Sequence, residues 1–469
     1  MKLFLPLLAL LGAALAPAQM TTDQKVADFT SLSQFYVRHY TPANWKIVQF
    51  GFDLANIQPW LARVRATKND IDYYDVVIDY VSHLRDGHVG FLVPSSYRAY
   101  LQFDVDIYDG KVLVDFISRN FDRTTFPLAV GDEILSVDGV GVQEWITRLS
   151  RYAEFGNPLS TRRQAADFIT FRPQANIPWA AQIGETASVV IRRASGEEVT
   201  YALPWTKTGE PLVNLPPVSG PRLATQQSLP LRDHSERDAK RRAAWGLPET
   251  VAPAEAERLT AEEQEVRSAQ IAEVSPHQRA LAALGQTLPL YNPPAGFRLR
   301  RGAAQGDFYL SGTFPLDGKT IGWIRIPSFS PPNQNLALTQ FRGEVEAMQQ
   351  ITDALVIDVQ HNPGGNVCFA QEQLRYLVPT PFWGVGYWIK PTQSWVRTFE
   401  SLASSTSQLP ATDWRRVLSE EYFRLVKEAA AAGRETGIFP ICSQSLITLP
   451  QDVVYTKPVL VLTNEFSLS

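Results

Sequence analysis

The spacing of apolar residues changes period along the chain. From about residue 20 to 98 it is helical; Val76, Val77, Tyr80, Val81 and Leu84 form one stripe within Tyr73–Leu84. Arg85-Asp86-Gly87-His88 breaks that stripe, and Val89–Val93 reads as a short strand. From Phe103 the period falls to two. Val105 and Ile107 alternate, Asp109-Gly110 marks a hairpin turn, and Val112–Ile117 reads as the returning strand. Gly131–Gly139 predicts a further strand bounded by glycines. Trp145–Thr170 predicts mostly helix, and Ser188–Arg193 with Val199–Trp205 a last hairpin.

The pattern then lapses. Between Thr206 and Arg300 prolines recur among mixed charges, which predicts an extended linker with one or two exposed helices. The Arg237–Arg242 cluster reads as a solvated helix, because Glu236 and Asp238 lie within or beside it. Order resumes at Lys319. Ile321–Ile326 predicts a strand, Gln340–Gln350 a helix, and Ala354–Val359 and Pro458–Leu462 are nearly continuous apolar runs. Buried strands alternating with helices indicate a parallel layer. The fold class is therefore multidomain α/β, α+β overall.

Composition narrows this. A chain of 469 residues, 45% hydrophobic, holds two to four domains with real cores. A net charge of -4, from 44 basic and 48 acidic residues, lacks the footprint of a nucleic-acid binder. Two cysteines make neither a disulfide scaffold nor a four-thiolate zinc site, and neither metal nor cofactor is expected. Cys368 and Cys442 are open to two readings, a pair or two buried thiols. Lys2, the uncharged run Leu3–Leu15 and Ala16-Pro17-Ala18 read as a secretory signal peptide. The expected product is exported, periplasmic or extracellular, beginning near Gln19, with no integral membrane segment once the signal is removed. Its oligomeric state is not legible.

Two segments carry chemistry. Val459–Leu462 delivers Asn464-Glu465-Phe466-Ser467-Leu468-Ser469 to a strand tip, where α/β folds place reacting groups. A serine there is a nucleophile when a base lies within reach; otherwise it belongs to a serine-rich turn. Asp358–Gly365 ends a second strand in Asn-Pro-Gly-Gly, a turn able to aim amides at an oxyanion or simply to join strand and helix.

Together and in this order, these features resemble the C-terminal processing peptidases, or tail-specific proteases. Leu84–Phe91 (LRDGHVGF) resembles the family's Leu-x-Asp-Gly-His element, and Gly131–Gly139 (GDEILSVDG) a signature of its PDZ-like domain. Gly322–Ile326 resembles its first core strand. Ile357–Gly365 (IDVQHNPGG) resembles its Asp-x-Arg-x-Asn-Pro-Gly-Gly segment, with Gln360 in place of arginine. Val459–Ser469 resembles its nucleophile strand and Ser-x-Ser motif.

The resemblance implies a domain plan: signal peptide 1–18, N-terminal helical region 19–98, PDZ-like domain 99–205, Pro-rich charged linker 206–300, and peptidase core 301–469. It implies a polypeptide substrate, Ser469 as nucleophile, and an oxyanion donor from Gly364 or Gly365. It implies a lysine base about two dozen residues beyond Ser469, so the sequence is expected to be a fragment. Some branches use a histidine in the triad, which brings in His88 beside its structural role. Lys457, at the start of the last strand, is expected at the end opposite Ser469. The peptide-capturing loop of the PDZ-like domain maps to Leu101, Gln102 and Phe103, without the usual glycine. The implied activity is an exported serine endopeptidase working through an acyl-enzyme; the alternative is a non-catalytic peptide-binding pseudopeptidase. A polysaccharide binder, suggested by 11 tryptophans, is the weaker third reading.

Overall fold

The computed structural model describes residues 19–118, 120–153, 155–212, 293–304, 306–440, 442, 445–450, 452–465 and 467. The signal-peptide reading at 1–18, most of the linker and Ser469 lie outside the described residues. The chain divides into two compact units, residues 1–233 and 234–469.

The first unit opens with four helices: α1 (Thr22–His39), α2 (Ala43–Phe50), α3 (Gln58–Ala66) and α4 (Asp70–Ser82). A reciprocal capping box between Thr21 and Gln24 starts α1. The Asn69 side chain caps α4 by accepting the Asp72 N–H. The stripe read from the sequence is the buried face of α4 and the turn just after it, where Val77, Tyr80 and Leu84 pack with Phe29 and Trp60. Val89–Val93 forms no strand. Val89 N–H closes a turn on the Asp86 carbonyl, and Val93 N–H reaches the Ala175 carbonyl; without a continuous partner strand, β-rich composition alone does not build a ladder.

The sheet that follows contains β2 (Phe103–Tyr108), β3 (Lys111–Ile117), β4 (Glu133–Val137), β7 (Thr186–Arg192) and β8 (Glu198–Pro204), antiparallel in that order, with β5 (Val140–Gly141) attached to β4. Asp109 and Gly110 both have positive φ, as a two-residue hairpin turn requires. Trp145 and Leu149 of α5 (Val142–Ser150) and Ile169 of α6 (Pro158–Thr170) close the core with Val105, Val114, Ile134, Val189 and Leu203. A three-stranded sheet, β6 (Phe171–Pro173), β1 (Arg98–Tyr100) and β9 (Thr206–Thr208), carries pairing past residue 205.

The second unit holds a five-stranded sheet ordered β10 (Arg298–Arg301), β11 (Leu310–Leu316), β12 (Lys319–Arg325), β13 (Ala354–Asp358) and β18 (Val459–Leu462). The first three pair antiparallel; β12, β13 and β18 run parallel. Helix α7 (Gln334–Ile351) makes the β12-to-β13 crossover and buries Phe341, Val345 and Met348 with Ile324, Leu355 and Ile357 of the sheet. Helix α8 (Val367–Leu374) follows β13. Between α8 and β18 lie β14 (Phe382–Trp383), β15 (Gly386–Tyr387), helices α9 (Gln393–Thr406) and α10 (Trp414–Ala431), β16 (Phe439–Pro440) and β17 (Leu446–Ile447), which the apolar pattern did not reveal. β15 pairs β16, and β14 pairs β17. The Cys368–Cys442 disulfide spans this insertion, with a Cα–Cα distance of 5.3 Å, and resolves the two readings in favour of a pair.

Candidate active site

The site lies at the C-terminal ends of β12, β13 and β18, where a parallel layer leaves its crevice. Arg325 ends β12 and Asp358 ends β13, paired in register. Both are almost fully buried, and Arg325 Nη1 lies 3.2 Å from Asp358 Oδ2. The same nitrogen donates to the Gln360 carbonyl at 3.0 Å, and the Gln360 N–H donates to Asp358 Oδ1 at 2.9 Å. Burial pushes the Asp358 carboxyl above the ordinary carboxylate value, and the Arg325 guanidinium opposes that rise. Sequence reading did not single out Arg325. Its only trace was one cation at the end of an apolar strand, beside the Gln360 that departs from the family pattern.

The turn after β13 is tied down from inside. Asn362 is buried; its Nδ2 donates to the Ile326 carbonyl at 2.9 Å and its Oδ1 accepts the Gly364 N–H at 2.8 Å. The Gly364 carbonyl accepts the Phe329 N–H. Gly365 has φ +144°, and a Cβ placed there would lie 2.5 Å from the Phe329 carbonyl carbon. Only glycine fits both the angle and the space. Asn366 then caps α8, accepting the Cys368 and Phe369 amides at 2.9 and 3.2 Å.

This separates the two glycines. Gly364 is buried and its N–H is already bonded to Asn362. Gly365 is exposed, and its N–H makes no hydrogen bond among the described residues.

The segment after β18 folds onto this turn. Val359 N–H donates to the Leu462 carbonyl, extending the ladder by one bond. Asn464 Oδ1 accepts the His361 N–H at 2.9 Å. Ser467 Oγ donates to the Val359 carbonyl at 2.8 Å and accepts the Asn464 N–H at 3.0 Å. Ser469 comes two residues later and lies outside the described residues. Lys457 sits at the other end of the sheet, its ammonium on the Thr352 carbonyl just before β13.

Two other sequence candidates belong to the first unit. Leu101 and Phe103 are buried in the core of the β-rich region, and the Leu101 N–H is bonded to the Thr170 carbonyl at 3.0 Å. Gln102, between them, has φ +67° and gives its carbonyl to the Ser118 N–H. His88 is exposed, with Nδ1 3.7 Å from Asp86 Oδ1; the other Asp86 oxygen accepts the Tyr40 hydroxyl at 2.7 Å.

No helix among the described residues is long and apolar enough to cross a membrane. Residues 97–214 match the PDZ domain and residues 320–469 match peptidase family S41. A Chlamydia pneumoniae protein is 26% identical over 381 residues, covering 77% of this chain and 58% of that protein. A Chlamydia trachomatis protein is 24% identical over 403 residues, covering 81% and 63%. The chain thus spans about three fifths of the length of these curated relatives. Among solved structures, mature CPAF complexed with lactacystin aligns with a TM-score of 0.64 at 19% identity, over 95% of this chain and 80% of that one. Mature CPAF alone gives 0.64 at 18%, over 96% and 80%. These two alignments establish the fold. Residues 320–469 are thus similar to peptidase family S41, and residues 97–214 ahead of them to the PDZ domain.

Proposed function

We propose that this chain is an exported serine endopeptidase of the C-terminal processing type, acting on polypeptides with Ser469 as nucleophile. The supporting observation is the convergence of the Asn464–Ser467 segment on the turn in which the exposed Gly365 keeps an N–H without a hydrogen bond among the described residues. In the reaction, the Ser469 hydroxyl gives its proton to a general base and its oxygen bonds to the scissile carbonyl carbon. The Gly365 N–H donates to the developing oxyanion. The amine leaves with a proton from the base, and water then releases the acyl group from Ser469. The base is a lysine supplied from beyond residue 469, as the family resemblance implies. Desolvation lowers the pKa of such a lysine and frees its lone pair.

The test is an unfolded-casein assay on three proteins: residues 1–469, the chain continued through the codons that follow 469, and the continued chain with Ser469→Ala. Activity is expected in the second alone. Activity that persists in Ser469→Ala excludes this nucleophile, and a folded but inactive continued chain identifies a peptide-binding pseudopeptidase. The signal reading is checked on the exported protein by mass spectrometry, which should find a start near Gln19; retention of Met1 overturns it.

A further inference from the structure

Ser-x-Ser offers two hydroxyls, and the structure gives the first one a different task from the second. We infer that Ser467, with Asn464, is a positioning residue that locks the nucleophile segment onto the oxyanion turn. This rests on the peptidase reading above and assigns the roles within it.

Three bonds carry the argument. Ser467 Oγ has one proton, and the nearest acceptor is the Val359 carbonyl at 2.8 Å, with Asn464 Oδ1 farther away at 3.2 Å. Its lone pair takes the Asn464 N–H. The hydroxyl is therefore engaged on both sides with protein groups, and a nucleophile so held has no proton free for a base. Meanwhile Asn464 Oδ1 accepts the N–H of His361. His361 is a non-glycine residue at φ +56°, a conformation that costs energy unless local hydrogen bonds hold it. Asn464 supplies one such bond. The Ser467 N–H also closes on the Asn464 carbonyl, so residues 464–467 form a small closed turn.

The consequence is geometric. Val359 lies one residue beyond β13 and His361 immediately precedes Asn362, whose side chain fixes the Gly364 amide. Ser467 holds one side of the turn and Asn464 the other. Ser469 is two residues from the first anchor, and Gly365 is four residues from the second. These side-chain bonds thus add to the β13–β18 backbone ladder in fixing the nucleophile segment against the oxyanion turn. Catalysis is sensitive to that register, because a misplacement of about 1 Å can cost on the order of a hundredfold.

Two measurements test this. On the 469-residue chain, hydrogen exchange at the His361 amide is followed in wild type and in Asn464→Ala, with Ile357 as the internal standard. Faster exchange at His361 with unchanged protection at Ile357 is the expected result; unchanged exchange at His361 overturns the anchor. On the continued, active chain, Ser467→Ala is expected to lower kcat by about ten- to a hundredfold with KM little changed. Ser467→Thr, which keeps the hydroxyl, should recover most of it. Full kcat in Ser467→Ala while Ser469→Ala is dead overturns the positioning role and leaves the peptidase reading standing. Activity that survives Ser469→Ala and dies in Ser467→Ala reverses the two assignments. If the continued chain is inactive throughout, the peptidase reading falls, and the exchange result alone decides whether the anchor exists.

Discussion

Two turns in this chain carry a residue of positive φ next to a buried strand, and they end in opposite arrangements. In the PDZ region, Gln102 turns the chain between β1 and β2, while the side chains on either side, Leu101 and Phe103, are driven into the core. In the peptidase region, Asn362–Gly365 turns the chain between β13 and α8, and here the inward position is held by a polar side chain. Asn362 spends its amide on two backbone groups inside the turn. The difference lies in what pays the inward hydrogen-bonding debt. Leu101 satisfies it with its own N–H, donated to Thr170. In the second turn a buried Asn does so, and the exposed Gly365 keeps an N–H without a hydrogen bond among the described residues. A turn becomes a candidate oxyanion site when side chains, not its own outer amides, satisfy the interior.

The strongest way to break the second arrangement is beneath it. Arg325→Met should destabilise the C-terminal unit by about 3–5 kcal/mol, since it strands Asp358 as a buried, uncompensated carboxylate. Replacing both, as Arg325→Met with Asp358→Leu, should recover much of that loss. Urea unfolding measures both; a double variant no better than the single one would mean that the Gln360 contact, not the pair, is what matters. The pH dependence has a definite sign. The folded carboxyl of Asp358 titrates above its unfolded value, so the folded state binds the extra proton. Its contribution to stability therefore falls as pH rises from the ordinary carboxylate value through the raised one, and is level above it. In Asp358→Asn that downward slope should disappear from the urea midpoints.

Next in size is the turn itself. Gly365→Ala asks a Cβ to occupy space held by the Phe329 backbone and the Ser330 hydroxyl, at a φ that L side chains resist. The backbone must move, and the amide moves with it. In the continued chain, peptidase activity should fall by about a hundred- to a thousandfold, the usual effect of losing one oxyanion donor. Gly364→Ala should also be harmful, through folding more than through kcat, since that amide is an internal bond. Equal kcat losses at matched stability would remove the distinction between the two glycines.

Much of this was legible before any coordinates. The apolar runs at Ala354–Val359 and Pro458–Leu462 were legible as parallel strands, and the hairpin at Asp109-Gly110 by its turn residues. The reading of both runs as buried holds only for β13: Val459, Leu460 and Val461 of β18, last in the strand order, are exposed. Three things were not legible, each for a physical reason. Arg325 sits in a strand that reads as apolar, and its pairing with Asp358 depends on register, which no local pattern encodes. Val89–Val93 has the composition of a strand but lacks a partner ladder. Helices α9 and α10 pack mainly on each other, and α9 has no buried residue although its sequence is amphipathic, so its apolar positions do not mark a core face. The nucleophile motif was visible as Ser-x-Ser, but which hydroxyl is spent on the backbone is a matter of distances.

The smallest expected effect lies at the first turn. Gln102 holds φ +67°, a left-handed conformation that costs a non-glycine residue about 1–2 kcal/mol. Gln102→Gly relieves that cost but loosens the unfolded chain, which returns about 0.5–1 kcal/mol. The net change should be a gain between zero and about 1.5 kcal/mol in urea unfolding. If the turn is only a structural connection, the same variant should leave peptide binding unaltered. A peptide with a free C-terminal carboxylate and its amidated twin should also titrate alike, because the Leu101 amide is already committed to Thr170. A Gln102→Gly variant that loses stability would show that the Gln102 side chain makes a stabilising contact, and a carboxylate-dependent affinity that vanishes with it would show that Gln102 faces a ligand. The two turns would then share a role after all, each presenting an outward group from a strained position.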